Sequence, residues 1–209
     1  MFSPVRGAGK RVGAAAAAAL GVALWWRRNP SACPYSQRFW VEAPHPFITR
    51  ERLLEALAPS AGERLLEIGP GTGYYTLEVA RRVERLDIFD LQQEMLDHTT
   101  RRAREAGIAN VMPQQGDARD LPYEDASFDG AFLVTVLGEI PDQQAAVDQL
   151  ARVLRPGGRL VFGEIVLDPH YVRESVLRER AEQAGLRFGR RVGGPPGFFA
   201  RFEKPPAAA

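Results

Sequence analysis

The chain has 209 residues, of which 45% are apolar and 25% charged, a composition typical of one globular domain rather than of a disordered chain. A single cysteine, Cys33, excludes an internal disulfide framework, and the three histidines lack metal-binding spacing, so we expect no metal site. Six of the 27 basic residues precede Glu42 with no acidic residue among them, which leaves 21 basic residues against 26 acidic ones in the remainder. Because the positive charge lies outside the globular part, a nucleic-acid partner is not expected.

Residues 1–28 combine basic side chains with an uncharged run at 12–26, which ends in Trp25 and Trp26. As a helix, these 15 residues would span about 22 Å, less than the roughly 30 Å hydrocarbon core of a bilayer. The pattern predicts a membrane anchor that crosses a thinned bilayer or lies in its interface. A secretory signal and an Ala-rich helix packed on its own domain are the alternatives. Arg27 and Arg28 directly after the run argue against a signal, so we expect a cytoplasmic protein, membrane-associated through residues 12–26.

Residues 29–46 are rich in proline and aromatic residues and are interpreted as a linker or lid, and residues 47–209 as the globular domain. Thr49 is predicted to cap a helix at 50–57. Apolar runs predict strands at 64–68, 85–89, 110–114, 128–136 and 159–165, and helical periodicity lies at 74–83, 91–106, 142–154 and 171–184. This alternation predicts an α/β fold with a doubly wound parallel sheet. Two further runs, 187–192 and 198–203, predict a closing antiparallel pair.

The first predicted strand runs into a glycine-rich loop that contains Gly69, Gly71 and Gly73. Glycines permit a tight turn and close approach of a ligand to the backbone, where the N–H groups of a helix start meet it. The dinucleotide fingerprint G-x-G-x-x-G is absent, because Tyr74 follows Gly73 directly. With the carboxylate of Glu67 just before it, the loop suits a compact zwitterionic ligand better than a pyrophosphate.

Two acidic residues follow later strands of the predicted sheet. Asp90 ends the second strand and is suited to accept two hydrogen bonds from a ribose diol, although it could equally cap a helix that starts at Leu91. Asp117 follows the third strand and is placed to accept a hydrogen bond from the exocyclic amine of adenine, with a backbone N–H beside it.

These motifs, in this order, resemble the class I S-adenosylmethionine-dependent methyltransferases. They are most similar to the branch with the ubiquinone/menaquinone C-methyltransferases and other type 11 enzymes. The resemblance rests on residues 67–73, Asp90, 116–118, 128–129 and 154–158 and covers roughly residues 47–203. It implies S-adenosylmethionine as cofactor, a Rossmann-like seven-stranded sheet with the last strand antiparallel, and a structural turn at 155–158. The candidate cofactor-binding residues are Glu67, Gly69, Gly71, Gly73, Asp90, Leu91, Asp117 and Ala118.

The loop at 137–142 departs from relatives that carry histidine there, because this chain has Glu139 instead. A general base is needed only when the methyl acceptor arrives protonated, and otherwise positioning suffices. Glu139 is the first candidate base and His170, after the fifth strand, the second. The alternative interpretations are a solvated loop acid for Glu139 and a residue in the first turn of a helix for His170.

Two other functions compete with methyl transfer to a small-molecule or lipid-like acceptor. A non-catalytic S-adenosylmethionine-binding protein would have the same cofactor residues. A nicotinamide-dependent oxidoreductase would share the fold, but the glycine spacing and Asp117 argue against it. Lipids, quinones, small secondary metabolites and polypeptides are all compatible as acceptors, and the sequence does not specify an oligomeric state.

Overall fold

The computed structural model describes residues 30–37 and 46–207. The predicted anchor at 1–28, and half of the predicted linker at 29–46, therefore lie outside the described residues. Within the part of the chain that is described, no helix combines the length and the apolar character needed to span a bilayer.

Seven strands form one sheet in the order β3-β2-β1-β4-β5-β7-β6. Strands β1 to β5 are mutually parallel, and β7 inserts antiparallel between β5 and β6. The predicted fold class, with the last strand antiparallel, is confirmed. The strands are β1 (Arg64–Ile68), β2 (Arg85–Asp90), β3 (Val111–Gln115), β4 (Phe128–Val134), β5 (Leu154–Ile165), β6 (Arg187–Gly194) and β7 (Gly197–Glu203).

In the described part of the chain, five α-helices cover the two faces of this sheet, and one hydrophobic core lies under each face. Helices α1, α2 and α3 pack on one face, and α4 and α5 pack on the other, each through an apolar stripe at helical spacing. The helices are α1 (Arg50–Leu57), α2 (Thr76–Ala80), α3 (Gln93–Glu105), α4 (Gln143–Val153) and α5 (Glu174–Gln183). Thr49 caps α1 as predicted, since its hydroxyl accepts a hydrogen bond from the N–H of Arg52 at 3.4 Å.

The ends of several elements differ from their predicted positions because of local backbone conformation. Helix α2 begins at Thr76 rather than at residue 74, since the turns of the glycine loop, with positive φ angles of 54° at Gly71 and 84° at Gly73, continue through Tyr75. Strand β4 ends at Val134 rather than at residue 136, because Thr135 has a φ of 55°. Strand β5 begins at Leu154, so the predicted turn at 155–158 is part of an irregular strand.

The side chain of Arg159 joins the carboxyl end of α1 to the first residues of strand β4. Its side chain, with the residue only 7% exposed, donates to the backbone carbonyls of Leu57, Ala58 and Asp129. It also donates to both carboxylate oxygens of Glu63, at 2.8 and 2.6 Å. A buried guanidinium with a full set of acceptors therefore connects the end of α1 to strands β4 and β5.

We expect Arg159→Met to lower the free energy of unfolding by about 3–5 kcal/mol, because the acceptors of the buried guanidinium lose their donor. Chemical denaturation followed by circular dichroism measures this change. Arg187→Met is the matched control, since Arg187 lies exposed on β6 of the same sheet. A loss below about 1 kcal/mol for Arg159→Met, as for an exposed ion pair, would contradict this account.

Candidate functional site

A cavity of about 340 Å³ lies where the carboxyl ends of the parallel strands β1, β2 and β4 meet. This edge is where doubly wound sheets place their ligand sites. The volume falls in the range of small-molecule sites. The cavity is lined by residues 30–33, 68–69, 71, 89–92, 95, 116–119, 134–136 and 139–141.

The glycine loop after β1 forms one wall of the cavity. Gly69 has a φ of 66°, and a Cβ atom there would collide with the side chain of Val136. At the neighbouring wall a Cβ on Gly116 would collide with the ring of Phe89. Both backbones therefore approach their neighbours more closely than any residue with a side chain permits, so a ligand here meets bare backbone.

Two of the predicted cofactor-binding residues, Glu67 and Gly73, are not among the residues that line the cavity. Glu67 is fully buried behind the loop, where it accepts a hydrogen bond from the hydroxyl of Thr76 at 2.6 Å. Burial raises the pKa of Glu67 to about 8, although that hydrogen bond favours the ionised form. Gly73 packs against Thr99, whose Cγ2 would lie 3.1 Å from an added Cβ. Both residues support the loop from behind.

Asp90 ends β2, Leu91 follows it, and both line the cavity. The Asp90 carboxylate accepts a hydrogen bond from the N–H of Gln92 at 2.8 Å. Burial raises the pKa of Asp90 to about 6, against the effect of hydrogen bonds from backbone N–H groups. Helix α3 starts at Gln93 with Gln92 as its N-cap residue, so Asp90 does not cap a helix that starts at Leu91. Leu91 is 57% exposed beside it.

Asp117 and Ala118 also line the cavity, and Arg119 beside them was not predicted from the sequence. The Arg119 guanidinium donates to both carboxylate oxygens of Asp117, with the shortest contact at 2.6 Å. These hydrogen bonds are the main reason why the pKa of Asp117 is lowered. The carboxylate at this wall is therefore ionised and held in place, with both side chains partly open to solvent.

Glu139 lines the cavity, whereas His170 is not among the lining residues. Glu139 ends a 3₁₀ turn (Leu137–Glu139) and accepts a hydrogen bond from the N–H of Cys33 at 3.2 Å. Burial, mainly, and the nearby Asp168 and Asp90 raise the pKa of Glu139 to about 8. This environment is unlike that of a solvated loop acid.

His170 lies behind the 3₁₀ turn, where its backbone carbonyl packs against Gly138 so closely that a Cβ there would collide with it. Its N–H donates to the Asp168 carboxylate at 2.6 Å. Helix α5 begins only at Glu174, so His170 is not in the first turn of a helix either.

Besides Arg119, the sequence interpretation did not place residues 30–33, Gln92 or Thr135 in the cavity wall. Residues 30–33 carry no ligand-binding motif, and only the proline and aromatic content of the whole segment 29–46 indicated a linker or lid. Gln92 belongs to no sequence motif, and only its place two residues after Asp90 indicates that it lies near the site. Thr135 has a positive φ of 55°, a strained conformation for a β-branched residue that local sequence does not indicate.

Comparison with known proteins identifies relatives of this domain. Residues 66–162 match the methyltransferase domain family. An O-methyltransferase of Penicillium expansum is 39% identical over 130 residues, which are 60% of this chain and 46% of that protein. A demethylmenaquinone methyltransferase of Clavibacter sepedonicus is 37% identical over 114 residues, 54% of this chain and 46% of that protein. The chain thus spans about half the length of these curated relatives.

A solved structure shares the fold over most of this chain. The crystal structure of an S-adenosylmethionine-dependent methyltransferase from Aquifex aeolicus superposes with a TM-score of 0.75 at 20% identity. The superposition covers 83% of this chain and 100% of that one. At this level of identity the likeness concerns the fold alone.

Proposed function

We propose that this chain, which belongs to the class I S-adenosylmethionine-dependent methyltransferases, transfers a methyl group from that cofactor to a small-molecule acceptor. The observation that carries the proposal is one cavity lined by the glycine loop, Asp90 and Asp117. Bare backbone suits the amino-acid part of the cofactor, Asp90 its ribose diol, and Asp117 with the Ala118 backbone its adenine. Glu67 and Gly73 hold the loop that this requires.

The electrostatics of the cavity favour a cationic ligand. Glu67, Asp90 and Glu139 all have raised pKa values, mainly through burial, and Asp90 adds to the shift of each of the other two. A positively charged ligand stabilises the ionised form of these carboxyl groups, whereas the negatively charged pyrophosphate of a nicotinamide dinucleotide would destabilise it. S-adenosylmethionine carries both a sulfonium and an ammonium group, which supports it over the oxidoreductase alternative.

When bound, S-adenosylmethionine supplies an activated methyl group on a sulfonium with a good leaving group. The contribution of the protein is to hold the acceptor in line and to exclude water, which can account for roughly 7–11 kcal/mol of barrier reduction. Glu139 is the proposed base for an acceptor that arrives protonated, since it lines the cavity and its pKa of about 8 lies near neutral pH. His170, behind Gly138, is proposed to support the turn that positions Glu139.

The acceptor is proposed to be a small molecule with a hydroxyl group or an acidic carbon. The two curated relatives, an O-methyltransferase and a demethylmenaquinone methyltransferase by name, support this class. A lipophilic acceptor and membrane contact are supported by the apolar run at 12–26 and its flanking basic residues. Residues 30–33 at the cavity support a lid function for the segment 29–46. A non-catalytic cofactor-binding protein is the second candidate.

We expect S-adenosylmethionine to bind with micromolar affinity, about −8 kcal/mol, and NAD not to bind. The cation stabilises the ionised carboxyls, so binding releases protons, and the affinity rises with pH up to about 8, near the pKa of Glu67 and Glu139. The rise is at most about tenfold per pH unit for each proton released. Isothermal titration calorimetry in two buffers of different ionisation enthalpy measures both quantities.

S-adenosylhomocysteine, which lacks the sulfonium charge, is the control ligand, and its affinity should depend less on pH. Binding of NAD, or no binding of either methionine-derived ligand, would overturn the proposed function. A pH-independent affinity for S-adenosylmethionine would contradict the electrostatic argument alone.

We expect Glu139→Gln to lower kcat about a hundredfold or more, while the Kd for S-adenosylmethionine changes little below pH 7, where Glu139 is mostly protonated and uncharged. Glutamine keeps the shape and can still accept the Cys33 N–H, but it cannot take a proton. The acceptor for this assay comes from metabolite and lipid profiling of a deletion strain grown with labelled methionine. Unchanged turnover would show that positioning suffices, and the absence of any methylated product would favour the non-catalytic alternative.

We expect full-length protein to sediment with membranes and a form that starts at Asn29 to stay in the supernatant while still binding cofactor. Each basic residue near an anionic leaflet contributes about 1 kcal/mol, so high salt should release part of the full-length protein if the segment is interfacial. Cell fractionation with and without salt tests this. Full-length protein found entirely in the supernatant would refute the anchor and remove the main support for a lipophilic acceptor.

A further inference from the structure

Residues 30–35, called here the strap, pass over the cavity, and residues 30–33 form part of its wall. Side chains from two distant parts of the domain hold the strap by its backbone. The Gln92 amide nitrogen donates to the Cys33 carbonyl at 2.9 Å, and the Gln92 amide oxygen accepts from the Tyr35 N–H at 3.0 Å. Glu139 accepts from the Cys33 N–H at 3.2 Å. The Tyr35 hydroxyl lies 3.2 Å from Nδ1 of His98 on α3.

Gln92 uses both ends of its primary amide on two residues of the strap. A carboxylate of the same length would lose the donor, and an apolar side chain would lose both hydrogen bonds. Gln92 is also the N-cap residue of α3, yet its side chain makes no capping hydrogen bond. Ser, Thr, Asp or Asn at an N-cap would typically stabilise the helix by about 1 kcal/mol relative to a residue that does not cap. The side chain at this position therefore serves the strap instead of its own helix.

The backbone of Gln92 connects the same residue to the proposed ribose site. Its N–H donates to the Asp90 carboxylate at 2.8 Å, two residues before it in the chain. The N–H of Cys33, whose carbonyl accepts from Gln92, donates to Glu139, the proposed base. The strap thus bridges the side of the cavity assigned to the cofactor and the side assigned to the acceptor, with Gln92 as its attachment on the cofactor side.

We propose that Gln92 is a positioning residue that closes the strap over bound cofactor, so that the spent cofactor leaves only after the two amide hydrogen bonds break. The inference rests on the proposed cofactor site. Because the strap covers the cavity and Gln92 touches both the strap and Asp90, occupancy of the ribose site and closure of the strap stabilise each other. Loss of the attachment should act on dissociation more than on association.

The test compares Gln92→Met with Gln93→Met in the full-length protein. Methionine keeps the length of glutamine without its hydrogen bonds. The side chain of the exposed Gln93 donates to Asp97 on its own helix, at 2.8 Å, and so provides the control. Surface plasmon resonance with S-adenosylhomocysteine gives both rate constants. We expect S-adenosylhomocysteine to dissociate from Gln92→Met about tenfold faster than from the wild type, because two hydrogen bonds are lost and only partly replaced by water. The association rate constant should change less than threefold. Gln93→Met should match the wild type.

Hydrogen exchange gives a second readout that a general loss of stability would not reproduce. S-adenosylhomocysteine should increase the protection of the Cys33 and Tyr35 amides in the wild type. In Gln92→Met, the Tyr35 amide should lose this ligand-dependent protection, while amides in the sheet keep theirs.

A second comparison approaches the same contact from the strap. Tyr35→Pro removes the N–H that donates to the Gln92 amide oxygen, whereas Tyr35→Ala removes only the side chain. S-adenosylhomocysteine should therefore dissociate faster from Tyr35→Pro than from Tyr35→Ala. Dissociation within twofold of the wild type for Gln92→Met, or equal rates for the two Tyr35 variants, would overturn the role of Gln92. Failure of the wild type to bind S-adenosylhomocysteine would instead overturn the proposed function.

Discussion

The close approach of three strand ends at Gly69 determines the architecture of the site. Its N–H donates to the carbonyl of Phe89 at 2.8 Å, which connects the end of β1 to the end of β2. On its other side only a hydrogen atom fits against Val136, just beyond β4. Because no side chain stands between these ends, the backbone of the loop faces open space. Asp90, the glycine loop and Glu139 can therefore line a single cavity.

Burial of three carboxyl groups around this cavity has a cost that grows with pH. An acid whose pKa is raised in the folded state destabilises that state progressively as pH rises from its ordinary value towards the raised one. Glu67 and Glu139, with pKa values of about 8, carry that cost through neutral pH. Among the described residues no arginine forms an ion pair with either of them, whereas Asp117 is paired with Arg119. The described part of the free protein thus leaves these acidic groups to be stabilised by the positive charge of the proposed ligand.

Sequence reasoning found the parts of the site that local chemistry determines. Gly69, Asp90 and Asp117 each follow a strand, and all ends of parallel strands meet at one edge, so their convergence could be predicted. The strap could not, because its contacts join Cys33 to Gln92 and Glu139, 59 and 106 residues away. Such pairings depend on the folded packing and leave no periodicity in the chain. The helix start at Thr76 was missed for a different reason, since positive φ angles at glycines delay it.

The strap also lies close in the chain to the predicted anchor at 12–26. Only three residues, 27–29, separate Trp26 from Pro30, which lines the cavity. At no more than about 3.6 Å per residue, the two positions lie within about 14 Å of each other. The proposed anchor and the proposed strap are therefore neighbours in the chain. If the anchor binds a membrane, as proposed above, the strap would be held close to that membrane, and a lipophilic acceptor would be compatible with this arrangement.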